Sequence, residues 1–285
     1  MAQRSQPPAS LDGSTQPVTH LHGTVVVCTD VGRSRSQNED NFVIFDLKKR
    51  TRSEAGKEEH RSFAHPGLLV AVADGMGGHS SGQIASQLCV ETLPIEFAKL
   101  VPETPTNETD WDKMLVDSVN ATNSALYSTA KSNRQHEGMG TTLTAAFLHG
   151  RNARVAQVGD SRAYLFRGDH LTQLTQDQTV FNTLREEERL ALRDTPFENM
   201  LLQAVGAMAK LEVVTTDVTL RPGDLLLLCS DGLYKVVAPE ELVEILKQDS
   251  SLRARADALI ARGNDNGGPD NITVILCRVA EPSGE

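Results

Sequence analysis

The chain has no hydrophobic run of membrane-spanning length: no uninterrupted apolar stretch approaches the roughly 20 residues that cross a bilayer as a helix. Its opening residues, Met-Ala-Gln-Arg-Ser-Gln-Pro-Pro, contain no apolar core, so no secretory signal is visible. Basic charge is short as well. Lys and Arg number 28 against 38 Asp and Glu, a formal net charge of −10, which is the wrong sign for a nonspecific grip on nucleic acid. Cysteine is sparse: Cys28, Cys89, Cys229 and Cys277 lie in apolar surroundings, none in a Cys-x-x-Cys pair. That argues against a zinc site and for buried, reduced thiols in a cytosolic protein. No internal repeat is present.

What remains is the composition of an ordinary globular protein, 39% apolar with 21 glycines in 285 residues, long enough for a sizeable core. Residues 1–20, rich in Ser, Gln, Pro and Thr, read as a disordered N-terminal tail, and 281–285 as a C-terminal one. Lys48 to His65 holds eleven charged or histidine residues and reads as an exposed loop between two strands. Strand patterns cover Thr24–Cys28, Asn41–Phe45, Leu68–Ala73, Thr142–Leu148, Ala153–Val158, Ala163–Phe166, Val213–Leu220, Leu225–Cys229 and Ile272–Val279. Helical patterns cover Ser81–Leu93, Thr109–Lys131, Pro239–Lys247 and Leu252–Ile260. Arg151-Asn152 and Arg167-Gly168 are hairpin cues, which imply antiparallel pairing and an α+β layered fold rather than alternating parallel βαβ units.

Five aspartates share one setting, the end of a strand beside glycine or a polar turn. They are Asp40, Asp74 in Asp-Gly-Met-Gly-Gly-His79, Asp160 in Gly-Asp-Ser-Arg162, Asp231 in Ser-Asp-Gly232, and Asp270 in Gly-Pro-Asp-Asn271. Strand ends hold side chains rigidly, and the glycines let backbone come close to whatever the acids bind. Converging carboxylates would repel one another, and hard divalent cations remove that cost; an all-oxygen donor set suits Mg²⁺ or Mn²⁺. The plainer account is that aspartate favours turns after strands. It explains any one of these positions more readily than all five.

Taken in order, six segments resemble the motifs of the metal-dependent protein phosphatases (the type 2C, or PPM, family) in its bacterial branch. They are Asp30–Asp40 with Arg35 and Glu39, Asp74–His79, Gly138–Thr142, Val158–Arg162, Cys229–Leu233 and Gly268–Ile272. The resemblance runs from about Thr24 to Val279. It implies a four-layer α/β/β/α sandwich of two antiparallel sheets flanked by helices, in a single phosphatase domain over 21–280. It further implies two Mn²⁺ or Mg²⁺ ions. Asp74 would bridge both, the Gly75 carbonyl would bind one, and Asp231 and Asp270 would hold the other. Glu39 and Asp40 would steady waters around them, and Arg35 would clamp the substrate phosphate. A water bridging the two ions would attack the phosphate monoester.

Two positions depart from the wider family. Met76 stands where eukaryotic members carry a histidine proposed as general acid, and a thioether transfers no proton; His79 reads as a structural histidine at a helix start. Lys235 stands where many members have an acid that helps the counterpart of Asp160 bind a third metal, which puts that site in doubt. Its ammonium is expected to approach Asp160. Asp177–Ala209 corresponds to the family's flap, in which Arg185-Glu-Glu-Glu-Arg189 reads as a solvated helix face. The expected protein is a cytoplasmic, monomeric serine/threonine phosphoprotein phosphatase opposing bacterial Ser/Thr kinases, with no nucleic-acid or membrane partner. The alternatives are a catalytically dead phosphoprotein-binding module, against which the intact Asp74, Asp231, Asp270 and Arg35 argue, and a narrower regulatory phosphatase with the same site.

Overall fold

The strands are apolar on both faces because both faces are covered. Along β1 (His22–Asp30), Val25 and Val27 enter one core while Val26 and Cys28 enter another. This alternation recurs in the central strands β2 (Asp40–Asp46) and β5 (Leu68–Met76) but not in the short edge strands β3 (Thr51–Arg52) and β4 (Glu59–Ser62). In β5, Val70 and Val72 face the neighbouring sheet, and Leu69, Ala71 and Ala73 face helices. The computed structural model describes residues 20–77, 81–106, 108–136, 138–192 and 195–281. His79 and the expected tails, apart from His20 and Glu281, lie outside the described residues.

After β5 come α1 (Ser81–Leu100) and α2 (Trp111–Ser132), then β6 (Gly140–Thr141), β7 (Leu143–His149), β8 (Asn152–Val158), β9 (Arg162–Arg167) and β10 (His170–Gln173). The short α3 (Val180–Thr183) and α4 (Glu186–Leu192) precede β11 (Val214–Thr219) and β12 (Leu225–Cys229). The one-turn α5 (Asp231–Tyr234), α6 (Pro239–Leu246), α7 (Leu252–Asp265) and β13 (Ile272–Ala280) complete the order. One sheet has six strands in the order β10-β9-β12-β13-β1-β4, and the other has β11-β8-β7-β5-β2-β3 with β6 paired to β5. Every pairing is antiparallel. The inner core, with Val27, Ile44, Val72, Leu226 and Ile275, lies between the sheets. A second core joins α1 and α2 to one sheet, and a third joins α6 and α7 to the other. Three cores between four layers make the expected α/β/β/α sandwich. All four thiols are free and buried.

The structure corrects two local readings. Lys48 to His65 is not a simple loop: β3 pairs with β2, β4 pairs with β1, and Phe63 is fully buried against the glycine at position 23. Charged edge strands carry no apolar alternation to betray them. The first long helix runs past Pro94 to Leu100. Proline lacks the N–H that would bond the carbonyl four residues earlier. Arg52 Nη2, from β3, donates to Val90 O at 3.2 Å and to Glu91 O at 3.0 Å, replacing the missing donor.

Candidate active site

The acids gather at one edge of the sandwich because strands from both sheets end there. In the β2–β5 ladder Asp40 stands directly opposite Asp74. The β8–β9 turn, which passes from one sheet to the other, carries Asp160. Asp231 opens α5 directly after β12, and Asp270 lies just before β13. Together with Arg35 and Glu39 they face an open cleft of about 440 Å³, except Asp40, which lies beneath it. Met76 and Met200, both well exposed, form an apolar rim, and no histidine lines the cleft among the described residues.

Backbone contacts hold this edge in place. Asp74 O accepts from Thr142 N (2.8 Å) and Thr141 Oγ1 (2.8 Å), and Asp74 N donates to Thr142 Oγ1 (3.0 Å). Asn271 fixes the loop that carries Arg35: its Oδ1 accepts from Glu39 N (2.7 Å), and its Nδ2 donates to Val31 O and Gln37 O (both 2.9 Å). Ser230 Oγ donates to Asp40 Oδ2 at 2.6 Å. Thr141, Thr142, Ser230 and Asn271 all fall inside the quoted motifs, yet only the folded chain shows what they hold. The glycines at 75 and 232 also let protein backbone pass. A Cβ on Gly75 would stand 2.2 Å from the Gly82 carbonyl, and one on Gly232 would stand 2.0 Å from the Asn271 carbonyl. Neighbouring protein backbone by itself demands glycine at both positions.

Burial and mutual repulsion raise the proton affinity of this group. Asp74 is pushed well above the usual carboxylate range, by burial first and then by Asp40, Asp231, Asp160 and Asp270. Burial pushes Asp40 up to about 7, against hydrogen bonds from Ser230 and Thr273 that favour the charged form. Asp160 rises to about 6 through burial and Asp231, with Lys235 opposing. Glu39 is also raised, chiefly by burial.

Two acids are turned onto cations. Arg35 Nη2 donates to Asp270 Oδ2 at 2.7 Å, and Lys235 Nζ donates to Asp231 Oδ2 at 2.5 Å. The same ammonium comes within 3.7 Å of Asp160 Oδ2. Among the described residues no three carboxylate, imidazole or thiolate groups enclose one point as an ion cage would. The donor chemistry nevertheless fits hard divalent cations: it is all oxygen, over-supplied with negative charge, and free of cysteine and histidine.

The flap rests on the same edge. Arg162 Nε and Nη2 donate to the two Asp177 carboxylate oxygens at 2.9 and 2.6 Å, and the Arg162 guanidinium lies 3.5 Å from the centre of the Tyr234 ring. Val180 N donates to Met200 O (2.7 Å) and Leu202 N to Gln178 O (2.8 Å), which sets Met200 over the cleft. Within Arg185–Arg189 the three glutamates are exposed as expected. Arg189 instead turns inward, donating to Phe181 O, Leu184 O and Asn182 O, and holds the flap's own chain.

Residues 58–276 match the family model described as Protein phosphatase 2C. The chain belongs to the protein phosphatase 2C family. Among similar family members, the serine/threonine phosphatase stp of Listeria innocua is 38% identical over 252 residues, covering 87% of this chain and 92% of that protein. The crystal structure of the Mycobacterium tuberculosis serine/threonine phosphatase PstP/Ppp superposes with a TM-score of 0.74 at 33% identity, over 92% of this chain and all (100%) of that one. A structure of the PstP catalytic domain in complex with two manganese ions gives 0.72 at 34% identity, over 92% and 100%. The fold expected of a protein phosphatase 2C domain is therefore shared along nearly the whole described chain.

Proposed function

We propose that this chain hydrolyses phosphoserine and phosphothreonine monoesters on proteins, with two Mn²⁺ or Mg²⁺ ions in the cleft, and so opposes bacterial serine/threonine kinases. The observation that carries this reading is the gathering of Asp74, Asp231, Asp270 and Arg35 in one cleft of a protein phosphatase 2C fold. Asp74 and the Gly75 carbonyl would hold metal on the β5 side, with Asp74 shared between the two ions, and Asp231 and Asp270 would hold the other. Glu39 and Asp40 would act through waters around them. When bound, such ions supply Lewis acidity: they neutralise the carboxylates, offset the charge of the phosphate dianion and acidify the attacking water.

The chain's own side chains do the rest. Arg35, half exposed and swung onto Asp270, is long enough to turn its planar fork to a phosphate instead. Met76 and Met200 give the substrate's polypeptide an adaptable apolar wall. Met76 carries no transferable proton, so a water, held in the cleft or drawn from bulk solvent, would protonate the leaving serine or threonine oxygen. No helix among the described residues is long and apolar enough to cross a membrane. We read the protein as a cytoplasmic monomer.

The test is manganese-dependent release of phosphate from phosphothreonine peptides, with a chelator control. Turnover that needs the metal supports the phosphatase reading. Peptide binding without turnover in the metal-loaded protein would favour a phosphoprotein-binding module.

A further inference from the structure

Lys235 follows a single helical turn. Its backbone N–H donates to Asp231 O at 3.1 Å, so the two side chains emerge on the same side of α5, four residues apart. That geometry lays the Lys235 ammonium on Asp231 Oδ2 at 2.5 Å. Across a narrow gap lies Asp160, 4% exposed, with its Oδ2 at 3.7 Å from the same ammonium.

The position is built rather than incidental. The neighbouring Tyr234 hydroxyl donates to Asp160 O (3.1 Å) and Asp160 Oδ2 (3.3 Å). The Tyr234 ring is in turn held under Arg162, which is locked to Asp177 by two hydrogen bonds. Asp160, Tyr234 and Asp231 are thus fixed relative to one another, with the ammonium between the two acids.

Charge balance gives this placement a meaning. With cations bound and every carboxylate ionised, Glu39, Asp40, Asp74, Asp160, Asp231 and Asp270 would bring six negative charges to the cleft region. Arg35 and Lys235 together with two divalent ions match them. A further divalent ion between Asp160 and Asp231 would overfill the site and stand within a few ångströms of the Lys235 ammonium.

We propose that Lys235 is a tethered cation filling the space between Asp160 and Asp231, so that this chain loads two divalent ions and no third. This rests on the metal-dependent reading above. Asp160 then has its counter-charge at every manganese concentration, and Lys235 is a positioning residue for Asp231.

Equilibrium manganese binding to the full chain, followed by calorimetry and by the electron paramagnetic resonance of free Mn²⁺, tests this without reference to turnover. Wild type should bind two ions up to millimolar manganese, and Lys235→Arg, which keeps the charge, should do the same. Lys235→Asp should bind three, and the added ion should disappear in the Lys235→Asp, Asp160→Asn double variant. If Lys235→Asp does not fold, judged by circular dichroism, Lys235→Asn serves in its place. Three ions on wild type, or two on a folded Lys235→Asp protein, would overturn the proposal. No manganese on any of these proteins would overturn the metal-dependent reading, and this proposal with it.

Discussion

Strands β5 and β7 connect two clusters of ionisable groups that meet burial in opposite ways. At the Asp74 end, carboxylates from both sheets crowd one cleft and are driven toward protonation. At the other end, His149 packs 4.6 Å from Trp111, 5.8 Å from His65 and 5.7 Å from Phe147, measured between ring centres. Burial, with His65 and His20 adding to it, pushes His149 down to about 4. Buried nitrogens on His65 and His149 find no hydrogen-bond partner. An imidazole becomes neutral by giving up its proton, so the aromatic end needs no counter-ion. Carboxylates shed charge only by taking a proton or a cation, so the cleft is incomplete by itself.

The most severe way to break this contrast is Asp74→Asn. The amide is nearly isosteric, so the fold should survive, while turnover should fall by more than about 1,000-fold because both ion sites lose their shared carboxylate. Activity near wild type in a folded, metal-loaded variant would dispose of the two-ion account. Arg35→Ala comes next. Removal of one charge-assisted bidentate contact to phosphate should cost about 2–3 kcal/mol, a loss of roughly 30- to 150-fold in kcat/KM, with manganese binding retained. Lost metal affinity, with normal kinetics once manganese is in excess, would make Arg35 structural instead.

The two ends should also respond to pH with opposite signs. In chelator-treated protein, Asp40 at about 7 and Asp160 at about 6 hold protons that the unfolded chain releases near its ordinary carboxylate value of 3.8. Stability should therefore fall as pH rises through that window, and manganese added at neutral pH should restore it. A thermal midpoint indifferent to both pH and manganese would contradict this. His149 runs the other way. Its folded value of about 4 lies below the ordinary 6.5, so the unfolded chain takes the proton first on acidification. Stability is lost as pH falls from 6.5 toward 4, and His149→Phe should remove part of that loss, on the order of 1 kcal/mol given the ring's partial exposure. This is the smallest effect, read from the acid limb of a denaturation series against wild type.

The same contrast separates what was legible in the residues from what was not. Leu225–Cys229 and Ile272–Val279 announce themselves as strands because both their faces are buried, which makes the run continuously apolar. The edge strands β3 and β4 do not, since their pairing is made through backbone and their side chains are polar. Pro94 looks like a helix stop until Arg52, 42 positions earlier, supplies its donor. The strand-end aspartates stand out, whereas the roles of Asn271, Ser230 and Tyr234 depend on partners 74 to 240 residues away. Nothing local encodes such distances.

Hydrophobic periodicity, turn chemistry and the order of the motifs determined the layered α+β fold and marked the acids that line the cleft, because each is set over a few neighbouring positions. The four-residue helical step even laid Lys235 on Asp231. Only the tertiary structure decided that the Tyr234 hydroxyl ties Asp160 down beside the ammonium, that the histidines collect at the far end of the same strands, and that glycine is needed at 75 and 232 to let backbone past. Those outcomes depend on how two sheets stack and which strand ends meet, and that is settled by burying all three cores at once.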